Sequence, residues 1–392
     1  MSLRFLTPVL VTMLIAIFTA SCASRGGEGH LMIVGGALSR DNNLIYDEMA
    51  RLGGANATAG ILPTASGVPE ESGASAVSRF QQLLGEANVE LIPVTFQTPE
   101  LADDPAIAAQ IRKHDIIWFV GGDQSRIIDA FRRPGDARGD TEGYRALLSV
   151  LKRDGLIGGT SAGAAMMSDP AIGGGSSEKA LESGRGEYSP DETEERGVVI
   201  RDGMGFFPYG IVDQHFLARG RLGRLIAALE ETGVARGYGI DEDSAIAVNL
   251  NTGEIRVLGP QGLILADVRR LSRQGLAREN IRISMLSTGD SVDGDTGRIT
   301  HAAGYAPFNA MPDAPSTLAP IPDAWGRWTI RTALLALAES NASEVLLTGE
   351  RFDIRFSKDS DTYSIINPTQ PGSPVSVVNA RMDIVHKASA GN

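Results

Sequence analysis

Gly159-Thr160-Ser161-Ala162-Gly163 sets one serine between small residues, after the apolar pair Leu156-Ile157 and before a helix-forming run. A serine on a sharp strand-to-helix turn projects its hydroxyl outward, and the young helix aims backbone N–H groups at the same point. Nucleophile and anion holder are then built from one turn, which is the equipment of acyl transfer. Such a serine needs a base, and the chain has five histidines. His30 lies in the processed N-terminal region, and His301 and His386 lie in the extension far downstream. His114 precedes the apolar run Asp115 to Val120, so at ~3.3 Å per residue it sits some 20 Å from that strand's carboxyl end. His215 remains, directly after the strand end Val212-Asp213. An acid must fix the imidazole's tautomer. Asp213 is too close in sequence to reach behind the ring, whereas Asp241-Glu242-Asp243 follows another strand, and spacing does not choose among those three.

Two further groups belong to the same edge. In Gly121-Gly122-Asp123-Gln124 the glycines allow close backbone approach, so the N–H of Gly122 would join that of Ala162 in an oxyanion hole. Arg219, Arg221 and Arg224 follow His215 within nine residues, a spacing that suits carboxylate binding by planar guanidinium forks as well as it suits a solvated basic face.

The elements that must position these residues alternate. Leu31 to Val34, Gly60 to Pro63, Val89 to Val94 and Asp115 to Val120 read as short, wholly apolar strands. Helical patterns separate them at 75–87 and 106–113, and a third at 141–153 leads into the serine turn. That alternation predicts an α/β fold, a doubly wound and mostly parallel sheet with helices on both faces. Ligands of such sheets collect at the carboxyl ends of the strands. Beyond them, 211–213 reads as a strand end and 221–231 as a helix. Residues 238–241 with 245–248 read as a strand-turn-strand, and 254–268 as a terminal hairpin. The Ser-, Gly- and Glu-rich stretch 176–196 is expected to be an exposed loop, a lid over the cleft. After residue 270 the texture changes: 289–323 is rich in Gly, Asp and Pro, and a helix is expected near 325–339. The expected organisation is a leader over 1–22, a catalytic domain over 30–270 and a loosely attached extension over 271–392, partly disordered between 289 and 323.

The leader reading rests on Arg4, an apolar core from Leu6 to Phe18, and Thr19-Ala20-Ser21 before Cys22. A core this short is an export signal rather than a membrane span. Cys22 is the sole cysteine, so its thiol is the expected site of lipid attachment and no disulfide forms within the chain. An extracytoplasmic protein is expected, either secreted or an outer-membrane lipoprotein anchored through Cys22. The net charge of −12, with no basic face, excludes nucleic acid as a partner.

Four separated blocks carry a family resemblance: Val120-Gly121-Gly122-Asp123-Gln124, Gly159 to Ala164, Asp213-Gln214-His215-Phe216 with Arg219, Arg221 and Arg224, and Gly239-Ile240-Asp241-Glu242-Asp243. In this order they resemble the cyanophycinases, relatives of the peptidase E-like serine peptidases on a fold shared with class I glutamine amidotransferases. The resemblance covers roughly residues 30–270. It implies Ser161 as nucleophile, His215 as base and Glu242 as acid, with Gln124, Asp213, Gln214, Arg219, Arg221 and Arg224 lining the substrate pocket. It also implies cyanophycin as substrate, a polyaspartate whose side chains each carry arginine, and β-Asp-Arg dipeptide as product. No metal or cofactor is expected, and a homodimer is. The rival readings are an α-aspartyl dipeptidase or other small-peptide hydrolase, and a surface lipoprotein that binds polymer without cutting it.

Overall fold

The computed structural model describes residues 29–133, 139–187, 197–369, 372 and 374–387; the leader with Cys22, and residues 188–196 of the acidic loop, lie outside them. Five parallel strands form the centre: β1 (His30–Val34), β2 (Ala59–Leu62), β3 (Val89–Leu91), β4 (Ile116–Phe119) and β5 (Leu156–Thr160). Their order across the sheet is β3-β2-β4-β5-β1. The far side of β1 is extended by antiparallel strands, beginning with Ala245–Asn249 and Glu254–Leu258. Alternation along a strand sends successive side chains to opposite faces, and two apolar clusters result. Leu31, Ile33, Ile117 and Phe119 pack with Ile107, Ile128 and Leu147 on one face. Met32, Val34, Ile116 and Trp118 pack with Ile45, Met49 and Phe80 on the other. The sequence thus folds as the α/β class its periodicity predicts, with helices on both faces.

The helices begin where local chemistry starts them. Asp104 and Thr141 accept hydrogen bonds from the N–H groups of Ala106 and Tyr144, capping the helices Pro105–Lys113 and Glu142–Lys152. Pro69 and Pro105 stand in first turns, where a missing N–H costs nothing.

A second sheet departs from expectation. It runs through Ile211–Asp213, Arg236–Ile240, Leu263–Asp267, Ala277–Leu286 and Val375–His386 to Phe352–Ser357 and Glu344–Thr348. The segments at 236–240 and 245–249 therefore do not pair; the chain crosses from the second sheet to the first at Asp241–Ser244. The segments at 254–258 and 263–267 likewise join different sheets rather than forming a hairpin. Residues 271–387 are not a loose appendage either. Ala277–Leu286 pairs with Leu263–Asp267 in continuous register and also with Val375–His386. Short strands occur at Ser291–Asp293, Ile299–Thr300, Ala306–Pro307 and Ile321–Pro322 within the stretch expected to be partly disordered. The acidic loop begins with a helix, Ser177–Ser183, whose Ala180 and Leu181 are buried against the helix Leu222–Thr232. The described part of that segment is packed structure, not an open lid.

Candidate active site

The turn after β5 gives Ser161 a backbone conformation of φ 55°, ψ −111°, a strained geometry for a residue with a Cβ. Several contacts hold it. Ser161 N–H donates to the Val34 carbonyl at the end of β1 (3.0 Å). The flanking glycines are needed for packing: a Cβ on Gly159 would stand 2.5 Å from the Gly163 carbonyl oxygen, and one on Gly163 would stand 2.6 Å from that of Phe119. The short helix Ala162–Ala165 starts at the serine, so the Ala162 N–H is one of the first-turn donors left outside the helical ladder.

His215 follows the strand Ile211–Asp213 and also has positive φ, 44°. Its N–H donates to the Gly35 carbonyl (2.7 Å). The ring stands between the other two groups: Ser161 Oγ is 2.9 Å from Nε2, and Glu242 Oε1 is 2.8 Å from Nδ1. With the Nδ1 proton donated to the carboxylate, Nε2 is left as acceptor for the serine hydroxyl. Burial lowers the His215 pKa below its ordinary value; the Glu242 hydrogen bond opposes this, and the charges of Arg219 and Arg221 add to it. The shift favours the neutral imidazole over the imidazolium.

The crossover between the sheets separates the three acids that spacing left equivalent. Asp241 is buried and committed, accepting from Ala218 N–H and Trp328 Nε1–H, both at 2.9 Å. Asp243 accepts from Ser39 N–H and Asn42 Nδ2–H, also at 2.9 Å. Glu242 alone reaches the imidazole. Its second oxygen lies 3.4 Å from Arg327 Nη2, a residue of the C-terminal region to which the sequence reading gave no chemistry.

Gly122 sits at φ +147° against Ala65, where a Cβ would overlap the Ala65 carbonyl; Gly121 packs on Ser161, with 3.3 Å between a built Cβ and the serine Cβ. The expected substrate contacts divide. Gln124 is buried and donates its amide to the carbonyls of Ile172 and Gly173, both at 2.9 Å. Asp213 and Arg224, 0% and 2% exposed, form a bidentate pair at 2.8 and 2.5 Å. Arg224 donates further to the Gly175 carbonyl. In this structure the polar groups of these three side chains are engaged within the protein; breaking so buried a pair as Asp213–Arg224 costs about 3–5 kcal/mol. Gln214 is buried, its backbone carbonyl accepting from Arg221 Nη1 at 2.8 Å. Arg219 alone of the arginine trio is exposed.

Of the other histidines, His30 opens β1, 3.6 Å from Asp154, rather than belonging to a processed leader. His114 is buried beside Glu90 (3.3 Å) at the opposite end of the strands. His301 bridges Asp290 and Tyr363 in the C-terminal region. A residue missed by the sequence reading is Gly36, at φ +121° beneath the imidazole; the Gly-Gly pair after the first strand was its only signal. A cavity of about 340 Å³ opens beside Ser161, lined also by Arg40, Tyr46 and Arg79. A larger one, about 670 Å³, lies across the Asp243 turn and is lined by none of the three triad residues.

Comparison with known proteins gives a concordant answer. The cyanophycinases of Synechococcus elongatus and Geminocystis herdmanii are 29% and 31% identical over 296 and 249 residues. The alignments cover 72% and 61% of this chain, and 85% and 83% of those proteins. A peptidase from an acI-B1 actinobacterium superimposes with 68% of this chain and 98% of its own, at 18% identity and a TM-score of 0.46. Residues 31–256, more than half of the chain and spanning Ser161, His215 and Glu242, match peptidase family S51, and the chain therefore belongs to that family as a peptidase similar to the cyanophycinases.

Proposed function

We propose that this peptidase is a serine-type exopeptidase that degrades cyanophycin to β-Asp-Arg dipeptides. The observation that carries the reading is the unbroken relay from Ser161 Oγ through His215 to Glu242 Oε1, 2.9 and 2.8 Å, in a chain whose curated relatives bear the name cyanophycinase. Ser161 Oγ attacks the scissile carbonyl carbon while His215 Nε2 takes the hydroxyl proton. The charge gathering on the carbonyl oxygen is met by the N–H groups of Ala162 and Gly122. Glu242 stabilises the imidazolium without itself taking the proton. The intermediate collapses as His215 gives its proton to the leaving amine, and an ester on Ser161 remains. Water, deprotonated by the same imidazole, then hydrolyses that ester and restores the hydroxyl. Arg219 supplies an exposed cation for a substrate carboxylate. With the leader and Cys22 directing export, the enzyme would act outside the cytoplasm, on polymer released by other cells.

The decisive experiment is clearing of purified cyanophycin, with the released product identified by mass. Wild type should clear and release β-Asp-Arg; Ser161→Ala should lose turnover on the order of a millionfold while keeping its melting temperature. Clearing that persists in Ser161→Ala, or a wild type that binds granules and releases nothing, would overturn the reading.

A further inference from the structure

The cavity beside Ser161 holds two cations and no acid among its lining residues. Arg40 reaches in from the loop after β1, its Nη2 donating to Ser75 Oγ at 2.8 Å. Arg79 comes from the helix Pro69–Leu84, its guanidinium carbon 3.9 Å from the centroid of the Tyr46 ring. Neither makes an ion pair among the described residues. Arg79 Nε is buried without a hydrogen-bond partner there, and so is Thr160 Oγ1, next to the nucleophile. Asp243, whose charge is felt at Tyr46, is committed to Ser39 and Asn42. Phe80 and Trp118, with ring centroids 5.5 Å apart, supply an apolar wall.

The Arg79 guanidinium meets Tyr46 on one side, and two guanidinium groups at a cavity free of acids, one with an Nε–H left over, make a place for an anion. From these residues we infer that the cavity is a carboxylate-binding subsite contiguous with the reacting carbon, with Arg79 and Arg40 as its specificity-determining residues. Two planar forks select a carboxylate over a carboxamide, which offers them a single oxygen and no charge. The site is distinct from the buried Asp213–Arg224 pair, whose charges are spent on each other. The subsite rests on the cyanophycinase reading only for the choice of probe.

The test measures binding and cleavage separately. Full-length Ser161→Ala protein is titrated by calorimetry with β-Asp-Arg and with the same dipeptide carrying both carboxylates as amides. The dipeptide should bind about tenfold or more tighter than its diamide. Adding Arg79→Met should abolish most of that difference by weakening the acid and not the diamide, and Arg79→Lys should restore part of it. Arg40→Met is the second probe, and serves alone should Arg79→Met fail to fold. Equal binding of acid and diamide, no binding of either, or a preference that survives both substitutions would overturn the subsite. Clearing of polymer by wild type is read in parallel. Clearing with indifferent binding removes the subsite and keeps the function; acid-selective, Arg79-dependent binding without clearing does the reverse.

Discussion

At Gly36 the backbone turns with φ +121°, and a Cβ built there would stand within 2.8 Å of Cε1, Nε2 and Nδ1 of His215. No flexible side chain tip can yield here, because the obstructed group is the imidazole ring of the proposed base. Gly36→Ala should therefore displace the imidazole by a fraction of its own width, and misplacement of about 1 Å costs about a hundredfold in rate. Peptidase activity should fall by at least that factor while circular dichroism stays unchanged; wild-type kcat in this variant would show that the ring is not held as described. In the proposed mechanism the same ring sets the acid limb of activity. It must be neutral to accept the serine proton, and burial, with Arg219 and Arg221 acting in the same direction, holds its pKa below 6.5. The limb of kcat/KM should lie below pH 6.5, and Arg219→Gln, by removing one cation, should move it upward. A limb that stays in place would remove Arg219 from the electrostatics of the base. For stability the sign is parallel. A folded pKa below the unfolded one means the unfolded chain binds the proton first, so the contribution is complete above 6.5 and erodes as pH falls below it.

Elements decide which of those residues meet. Four of the five central strands, β1 to β4, were legible in the sequence to within a few residues because each is a short apolar run bounded by turn residues, and that signal is local; β5 showed only as the apolar pair Leu156-Ile157 before the serine turn. The serine turn was legible from its glycines four apart, although only Gly159 is required by the turn itself, where it meets Gly163, and Gly163 is required by Phe119 of the neighbouring β4. The acid was not. Asp241, Glu242 and Asp243 differ only in where the chain leaves one sheet and enters the other, and that crossing depends on Leu263–Asp267 pairing with Arg236–Ile240 while Ala245–Asn249 pairs with β1. Only the resemblance to a family singled out Glu242 beforehand. Burial was equally hidden: Asp213 and Arg224, eleven residues apart, read as cleft charges because nothing local reveals that two opposite charges bury each other. Arg40 and Arg79 escaped notice since each is an ordinary arginine until a loop and a helix bring them to one cavity.

On the scale of the whole molecule, the C-terminal region is part of the architecture that holds His215 and Glu242. Ala277–Leu286 covers the edge of Leu263–Asp267, which in turn pairs with the strand ending at Ile240, beside Glu242. One apolar cluster joins Leu222, Leu225 and Ile226, from the helix after His215, to Phe352, Phe356 and Met382. Trp328 extends the same tie by donating its backbone N–H to the Leu217 carbonyl (2.8 Å) and its indole N–H to Asp241. Ending the chain after Arg270 would strip the edge from Leu263–Asp267 and open that cluster to water. An uncovered apolar strand edge invites association with other chains. The truncated protein should therefore aggregate or melt without a cooperative transition, and its peptidase activity should be absent. Were residues 271–387 a separable appendage, the shortened chain would instead melt cooperatively near the full-length temperature and clear cyanophycin at the full-length rate. Thermal melts of both chains side by side, with light scattering to register aggregation, distinguish the two cases, because a strand lost from the middle of a sheet and an appendage lost from its surface leave different transitions behind.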